Sequence, residues 1–528
     1  MPQPNRQLVL LVEEARLSHY ELARLVREAL ARRGLPAKCT HHNVRRWCEG
    51  RATRAVPPFV IAEVLSGRLG REITPWDTGL AAGRHAPACV AVFLDSPAEI
   101  TATARAMWAC DLGDSDSLQL SLPAPALAAP ALRWLVASAP FGPTGAGGPD
   151  APAITDALVD NIRYQSLLFD TLAQRQGGGA ARASAVQYLH THLGPLLTGR
   201  FDGTTGRDLF DAAALATWTT ARHTADTPLH GWSRRYSVLA LSMAHQAGDR
   251  LLGAQILVSL SHHLLGAGDT GPALDLIRAA QLAVERDDSP PFAELFAVEA
   301  LAHTDRGDGT AALLALAAAE KALATARPDA PDWLTFGAGE LLTLRARCQL
   351  ALGRFADAAQ AAQGALDRLP PGQLRTATVA RLLLSGALCR LGRHEAADVA
   401  AEQALALAEG LSSQLACTQL GLTAVHFQEV RGGSDALAAR LHAAAARLAL
   451  APASTPAPPS APAPQSPAHR RPAGPQTRTE ALTGAATAFP SRKVEDTAAN
   501  LPTCLVIDVP SPPRPTHQPT RPRRGPRG

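Results

Sequence analysis

The sequence predicts an all-α protein, and three observations lead to that prediction. Alanine supplies 105 of the 528 residues, while aromatic residues make up only 4%, a composition that favours helices over strands. Apolar residues near the N-terminus recur at helical spacing, as Leu8, Leu11, Val12 and Ala15 do. Glycines recur at a nearly regular interval through the second half of the chain, as expected for stacked helical hairpins.

Composition and patterning divide the chain into five parts. We expect a helix-turn-helix domain over residues 5–75, a connecting region over 76–150 whose Pro-, Gly- and Ala-rich run from 123 to 150 is a linker, and a helical region over 151–205. Tetratricopeptide-like repeats should follow over 206–450. The remaining part, 451–528, contains 18 of the 42 prolines. Such a segment cannot collect an apolar core and is predicted to be disordered.

Charge is distributed unevenly along the chain. Residues 1–75 carry 13 Lys and Arg against 7 Asp and Glu, a net charge of +6, and residues 451–528 carry 10 against 4, again +6. Because the whole chain is only +4, the middle must carry a net charge of −8. Basic ends around an acidic helical centre indicate contact with a polyanion at one or both ends.

A capping signal marks the start of a predicted helix after residue 17. Ser18 and Glu21 are three residues apart, so each side chain can satisfy the other's free backbone N–H. We expect this helix to continue through the apolar positions Leu22, Leu25, Val26 and Leu30. Gly34 and Pro36 then interrupt it.

The next predicted helix spans residues 41–49, with Thr40 as its N-cap and Gly50 ending it. On a helical wheel, Val44, Trp47 and Cys48 lie together on one side. The other sides, and the residues that follow, carry polar groups suited to base edges and phosphates in a major groove. The candidate DNA-binding residues are therefore His42, Asn43, Arg45, Arg46, Arg51 and Arg54. A further helix is predicted from Pro57-Pro58 to near Gly70.

This segment resembles the lambda-repressor-like helix-turn-helix domains over about residues 5–75. The resemblance rests on Glu21-Leu22-Ala23 in the first of the two helices and on Val44-x-x-Trp47-x-x-Gly50 in the second. It departs from that family in one respect, because the stretch from Ala29 to Cys39 is longer than the usual tight turn. The alternative interpretation is a small helical bundle whose basic face is merely solvated.

A glycine period runs through the repeat region. Successive spacings of 39, 46, 39 and 40 residues separate Gly268, Gly307, Gly353, Gly392 and Gly432. Alanine follows the first four of them after five residues and all five after twelve residues. Small residues at fixed distances from a glycine turn are typical of tetratricopeptide repeats, in which paired helices approach closely. Such repeats stack into a solenoid whose concave surface binds a peptide or another protein.

Catalytic and metal-binding patterns are missing from the sequence. It contains no G-x-S-x-G or H-E-x-x-H motif and no Gly-Lys dipeptide, so Gln176-Gly177-Gly178-Gly179 is not a phosphate loop. Neighbouring histidines such as His262-His263 point about 100° apart on a helix and chelate poorly. The group Cys39, His41, His42 and Cys48 matches no zinc spacing. We predict no enzymatic activity, no cofactor and no bound metal.

The order of the parts resembles a large family of actinomycete helix-turn-helix regulators with tetratricopeptide repeats, which includes negative regulators of sporulation and antibiotic production. The likeness spans about residues 5–450 and includes the stretches 57–70, 105–112, 131–135 and 186–197. It implies a transcriptional regulator of development or secondary metabolism that binds double-stranded DNA. The repeats would bind a protein or effector or pair two protomers into a homodimer.

Two other hypotheses remain open. The same architecture resembles peptide-pheromone receptors, in which the repeats hold a peptide, and it also fits a scaffold whose N-terminal bundle does not bind DNA. A membrane is not an expected partner, because no run of 18 apolar residues exists. Residues 1–6 contain no apolar signal segment, so the expected location is the cytoplasm.

Overall fold

The computed structural model of the chain describes most of the first 450 residues. The described ranges are 4–32, 38–51, 56–71, 73–75, 77–80, 91–113, 122–138, 142–148, 150–286, 292–325, 333, 335–432 and 435–450. Within them the regular secondary structure is helical apart from two antiparallel strands of two residues each, β1 (Gly145–Ala146) and β2 (Arg200–Phe201). The predicted all-α class is therefore confirmed. The predicted disorder of 451–528 concerns residues outside the described ranges.

Four helices at the N-terminus share a core of their own. They are α1 (Arg6–Glu14), α2 (His19–Arg32), α3 (His41–Cys48) and α4 (Pro58–Leu69). We call them the N-terminal bundle. Its buried apolar cluster draws Leu8 from α1, Leu22 from α2, Val44 and Trp47 from α3 and Ile61 from α4. The bounds of α2 and α4 agree with the capping and proline signals in the sequence.

The predicted capping box is present at the start of α2. Both the backbone N–H and the hydroxyl of Ser18 donate to Oε2 of Glu21 at 2.8 Å, and the Glu21 N–H donates to the Ser18 hydroxyl at 3.2 Å. These hydrogen bonds from Ser18 stabilise the ionised carboxylate and lower the pKa of Glu21 below its ordinary value. The cap fixes the first turn of the helix that packs against α3.

The prediction of a linker over 123–150 is wrong for its first part. Residues 124–127 form a 3-10 turn that leads into α6 (Ala128–Val136), which follows α5 (Pro97–Gly113). Trp134 is fully buried in the main core, and the backbone of Gly253 lies so close that a Cβ there would meet the indole at 2.2 Å. A proline-rich stretch is helical here because tertiary packing covers it. Residues 91–94 of the connecting region form neither a strand nor a helix.

A buried polar triad ties α5 to the later helices α8 (Gly178–Tyr188) and α11 (His230–Ala247). One oxygen of Asp111 accepts from Nη2 of Arg182 at 2.5 Å, and the other accepts from the Tyr236 hydroxyl at 2.7 Å. The Asp111 side chain has no exposed surface, and that of Arg182 is only 8% exposed. Two charges buried this deeply hold their position only while both partners remain. Residues 97–113 therefore belong to the core.

Helical pairs make up the second half of the chain. The helix α7 (Asp156–Gln176) leads into α8, a π-helical stretch (Leu189–Leu193) and the short α9 (Gly194–Leu196). Six pairs follow. They are α10 (Gly203–Ala225) with α11, α12 (Arg250–Gly266) with α13 (Thr270–Arg286), α14 (Ala293–Asp305) with α15 (Gly309–Ala324), α16 (Ala338–Ala351) with α17 (Phe355–Leu366), α18 (Leu374–Arg390) with α19 (His394–Ala408), and α20 (Gln414–Arg431) with α21 (Ala436–Leu450).

The periodic glycines join the two helices of five of these pairs. All five have positive φ, between 74° and 94°, a conformation that glycine adopts without steric cost. The alanines five residues later are completely buried, and those twelve residues later are buried too: Ala273, Ala312, Ala358, Ala397, Ala280, Ala319, Ala365, Ala404 and Ala444. The glycine period therefore marks hairpin turns, and the alanines lie where the helices of a pair touch.

The helix pairs form a stack that curves back on its beginning. The first helix of each pair contacts the first helix of the next, from α10 through α12, α14, α16 and α18 to α20. At the far end, α18 also packs against α7. None of the helices in the described ranges is both long and apolar enough to cross a lipid bilayer.

A single carboxylate joins the two ends of the curved stack. Oδ2 of Asp226, which follows α10, accepts from the N–H of Gly178 at the start of α8 at 2.9 Å. Its Oδ1 accepts from the Ser413 hydroxyl at 2.8 Å and from the N–H of Leu415 at 3.0 Å, at the start of α20. Nη1 of Arg375 on α18 lies 3.5 Å from Oδ2. We call this set of contacts around Asp226 the clasp.

The glycine run in the sequence belongs to the clasp. The N–H of Ser412 donates to the carbonyl of Gln176 at 2.6 Å, and the N–H of Gly179 donates to the carbonyl of Ser412 at 3.0 Å. A Cβ on Gly177 would lie 2.3 Å from the Ser412 oxygen, and one on Gly178 would lie 2.6 Å from the His223 oxygen. The run allows two backbone segments to meet at distances that any side chain would prevent.

Replacing Gly178 with alanine should destabilise the stack, because the new methyl group would press on the His223 backbone, which cannot move aside easily. We expect a loss of about 1–3 kcal/mol in the free energy of unfolding, the usual cost of overpacking. Gly271→Ala is the matched control, because a Cβ there meets nothing within 4 Å. It should leave stability unchanged or raise it by up to about 1 kcal/mol. Thermal and denaturant unfolding of both variants would show the difference, and equal behaviour would contradict this role.

The Glu21 cap should make the stability of α2 depend on pH. The folded-state pKa of Glu21 is lowered, so the charged cap stabilises the helix above its unfolded pKa of 4.5, and that contribution is lost as pH falls through the folded pKa. Glu21→Gln resembles the protonated state. Amide exchange protection in α2 should therefore differ between wild type and variant at pH 7 and converge under acid conditions. A difference that persists in acid would refute the assignment.

Candidate nucleic-acid interface

Packing on one side fixes how α3 sits in the N-terminal bundle. Val44 is completely buried, Trp47 is 3% exposed and Cys48 is 9% exposed, and all three join the apolar cluster of the bundle. They are the residues that the helical wheel placed on the inner side. Burying a tryptophan and a valine on one side of an eight-residue helix leaves its opposite side towards solvent.

That opposite side carries most of the predicted interface. The side chains of His42, Arg45 and Arg46 are exposed, and so is Arg51 beyond the helix. Asn43 is half-buried. Arg54 lies outside the described residues, so its placement is not stated. The structure thus brings four of the six predicted residues onto one exposed region, and their role in binding DNA stays a prediction.

Asn43 has a structural role that the sequence did not reveal. Its side-chain oxygen accepts from the Thr40 N–H at 2.9 Å and from the Thr40 hydroxyl at 2.7 Å. Thr40 is thus the N-cap, as predicted, and Asn43 completes the cap from the first turn. The side-chain oxygen is therefore engaged in the cap, and the amide NH₂ is the group left to donate to a ligand. The spacing Thr40-x-x-Asn43 could have indicated this.

The charged groups of the exposed side differ in how they are held. Nε of Arg45 pairs with Glu49 at 2.9 Å one helical turn later, and both side chains are well exposed, so the pair is weak. Arg46 makes no hydrogen bond or ion pair with its side chain in the part of the chain that the structure describes. The His42 ring lies 3.9 Å from the ring of His41, centroid to centroid. Arg46 is therefore more available to a ligand than Arg45.

The end of α3 is fixed by a glycine turn. Gly50 has φ of 82°, its N–H donates to the Trp47 carbonyl at 3.0 Å, and the N–H of Arg51 donates to the Arg46 carbonyl at 3.0 Å. These two bonds make a Schellman motif, in which the chain reverses after the last helical turn. The motif holds the backbone of Arg51 beside the turn that carries Arg46. The N–H of Asn5 also donates to the Cys48 carbonyl at 2.9 Å, which anchors this end to α1.

The segment that precedes α3 is also held in place. Nη1 of Arg27 on α2 donates to the Cys39 carbonyl at 2.8 Å, immediately before the Thr40 cap. Beyond α4, Arg71 pairs with Glu14 at the end of α1 through two contacts, the shorter of them 2.7 Å. The candidate interface is therefore presented by a helix whose two ends and inner side are all held.

The cysteines and histidines around α3 do not converge. The Cys39 thiol is buried, and burial raises its pKa to about 11. Burial and the neighbouring Glu49 also raise the pKa of the Cys48 thiol, whose sulfur lies 3.9 Å from Nε2 of His19. The rings of His41 and His42 point outward instead. Among the described residues, no three His, Cys, Asp or Glu side chains are arranged to hold a metal ion.

The comparisons with known proteins bear on this part of the chain. The sequence model of a family described as the SP15 N-terminal domain matches residues 8–81. That range includes α2, α3, α4 and nearly all of α1, so the N-terminal bundle is similar to a recurring domain. No curated protein and no solved structure matches the chain.

Trp47 should be the main support of the interface. We expect Trp47→Ala to lower the free energy of opening of the N-terminal bundle by about 3–5 kcal/mol, the usual loss for a truncated buried aromatic residue. Hydrogen exchange on the full chain would show lost protection in residues 6–69, with residues 203–450 unchanged because their core is separate. Arg45→Ala, at an exposed position, should change protection by less than about 0.5 kcal/mol. Full protection in Trp47→Ala would contradict the packing argument.

Proposed function

We propose that this protein is a DNA-binding transcriptional regulator in which the N-terminal bundle is a helix-turn-helix domain and α3 enters a major groove. One observation carries the proposal: α3 buries Val44 and Trp47 and exposes the basic side that contains Arg46. A helix held this rigidly can present forked donors to base edges without first ordering itself. The net charge of +6 over residues 1–75 adds a non-specific attraction to phosphates.

The exposed residues divide into two groups in this proposal. His42 and Arg46 face directly away from the core and would contact base edges, where arginine pairs bidentately with guanine. Arg45 and Arg51 lie beside them and would contact backbone phosphates, as would Arg54 from the sequence prediction. Arg45 can exchange its exposed partner Glu49 for a phosphate at little cost, because the existing pair is solvated.

The helical pairs from α10 to α21 would form a tetratricopeptide-like solenoid that binds a protein or effector or pairs two protomers. The glycine turns and the buried alanines of five pairs support this part of the proposal. In a homodimer, two copies of α3 would reach half-sites about 34 Å apart, one turn of DNA. Together with the sequence resemblance, this favours an actinomycete-type regulator that acts in the cytoplasm on development or secondary metabolism.

The peptide-sensing regulator and the scaffold without DNA affinity are the two alternative functions. The first also binds DNA and differs in requiring a peptide in the repeats. The second requires that residues 5–75 do not retain DNA at all. The scaffold alternative would be favoured by a basic side paired throughout with carboxylates. Arg46 is instead exposed, and its side chain has no partner among the described residues.

A binding screen over genomic DNA fragments, repeated at several salt concentrations, tests the proposal. The full chain should retain discrete fragments. His42→Ala and Arg46→Ala should each cost about 1–3 kcal/mol of discrimination on those fragments, the usual worth of a base contact. Arg51→Ala should weaken binding to all fragments by the same factor and reduce the slope of log affinity against log salt by about 1.

Arg71→Ala is the matched control, because Arg71 belongs to the same bundle but pairs with Glu14 away from α3. It should bind as the wild type does. Retention of the same fragments by Arg46→Ala and His42→Ala at wild-type affinity would remove the assignment of α3. Absence of retention by the wild type at low salt would leave the scaffold as the better hypothesis.

A further inference from the structure

A group of cationic and imidazole side chains lies inside the curve of the helical stack, far in sequence from α3. Its members come from four helices: Arg222 and His223 from α10, His262 and His263 from α12, Arg347 from α16 and Arg375 from α18. We call them the arginine–histidine cluster. Two of these helices, α10 and α18, contact α7 where the stack returns on it, while α12 packs beside α10 and α16 packs beside α18. The DNA-binding proposal assigns no role to this group.

One arginine of the cluster is held rigidly. Nη1 of Arg222 lies 3.2 Å from Oδ1 of Asp170 on α7. The guanidinium also lies over the ring of Trp218, with its carbon 5.0 Å from the ring centroid. The side chain remains 24% exposed, so a ligand can reach it. A guanidinium fixed on two sides is prepared to bind a third group without losing further freedom.

The other two arginines have hydrogen-bonding capacity to spare. Arg347 is half-buried, and within the described ranges its side chain has no hydrogen bond or ion pair. Arg375 reaches Asp226 and Gln174 only at 3.5 Å, and its buried Nε has no acceptor among the described residues. Partly buried guanidinium groups are usually paired with a carboxylate or phosphate. These two are the donors that a bound anion would satisfy.

Neutral donors accumulate in the same place. His223 is 1% exposed, and neither ring nitrogen has a hydrogen bond, since Oδ1 of Asp170 is 3.8 Å away. Nδ1 of His263 and the indole N–H of Trp218 are likewise buried without an acceptor in the described part of the chain. Buried polar groups in folded proteins nearly always have a partner. These unpaired groups lie on the neighbouring helices α10 and α12, and they indicate a ligand that offers hydrogen-bond acceptors.

The local field is positive at the histidines. Burial, together with the positive charges of Arg347, Arg375 and Arg222, lowers the pKa of His262 to about 3. Burial also lowers the pKa of His263, with His262, Arg222, His230 and Arg375 adding to the effect. Burial raises the pKa of the Asp170 carboxyl, but Arg222, His223 and Arg375 outweigh that effect and hold this pKa well below its usual range. The charged side chains that act on His262 are thus all arginines.

We propose that the arginine–histidine cluster binds a small anion, a carboxylate or a phosphate, between Arg222, Arg347, Arg375 and His262. The arginines would supply the charge-assisted donors, and the neutral histidines would complete the shell with their N–H groups. Carboxylates and phosphates present the same oxygen acceptors to arginine, so the cluster fits both. The effector of the stack would accordingly be an anionic small molecule.

Titration calorimetry and thermal unfolding of the full chain with two probes, inorganic phosphate and succinate, would test this proposal. At least one probe should bind saturably and raise the melting temperature beyond the effect of sodium chloride at equal ionic strength. The preferred probe distinguishes a phosphate from a carboxylate ligand. Arg347→Gln should weaken binding by about ten- to a hundredfold, the worth of a charged hydrogen bond. This variant should fold, because Arg347 has no described partner to lose.

Two control variants locate the site. Arg278→Gln alters an exposed arginine that pairs with Asp275, and Arg46→Ala alters the candidate DNA interface. Both should bind the probe like the wild type. No saturable binding of either probe by the wild type would overturn the proposal, and so would equal binding by Arg347→Gln. Because DNA is absent from the assay, this outcome is independent of whether α3 binds DNA. If only Arg46→Ala lost the probe, the anion would belong to α3 and the cluster would be refuted as a site.

Discussion

The carboxylate of Asp226 is the contact on which the curvature of the helical stack depends. It accepts hydrogen bonds from the first N–H of α8 and from the start of α20, nearly 240 residues apart in sequence, and it faces Arg375 on α18. Each acceptor bond satisfies a helix N-terminus that would otherwise present free N–H groups in a buried position. Because the side chain of Asp226 is only 5% exposed, little water competes for these donors. Loss of this carboxylate would remove several of the contacts that close the stack and would leave the packing of α18 on α7 and the backbone bonds of Ser412 to hold it.

The closure also creates the surroundings of the arginine–histidine cluster. Asp170 on α7 can hold Arg222 only because α7 packs on α10, and Arg375 joins the group because α18 returns to α7. Charges that are far apart in the sequence thereby come to lie in a region of restricted solvent access, where electrostatic effects are stronger than at the surface. Closing the stack and gathering the cations are two results of one packing arrangement. The N-terminal bundle is organised differently, since it has its own apolar core and displays its cations outward.

Local signals in the sequence were dependable where the physical cause is local. Ser18 with Glu21, Thr40 before α3, Pro57-Pro58 before α4 and the glycine turns all act within a few residues, and each lies where the sequence predicted. The signals failed where burial by distant residues decides the conformation. The proline-rich run that contains Trp134 is helical, and the packing of its indole ring against the backbone of Gly253 stabilises it there. The sequence predicted Asn43 as a DNA-binding residue, whereas in the structure its side-chain oxygen accepts a hydrogen bond from Thr40 in the N-cap of α3.

The sequence by itself determined the helical class, the hairpin turns of five helix pairs and which side of α3 is apolar, because periodicity and capping are properties of short segments. Only the tertiary structure decided that Gln176-Gly177-Gly178-Gly179 allows a close backbone approach, that Asp226 accepts hydrogen bonds from two helix starts and that Arg222 and Arg375 both lie beside α7. Those outcomes depend on contacts between residues that are hundreds of positions apart, and no spacing along the chain records such contacts. The absence of a Gly-Lys dipeptide excluded a phosphate loop. Only the approach of Ser412 to Gly177 and Gly179, and of His223 to Gly178, explains why three glycines stand together.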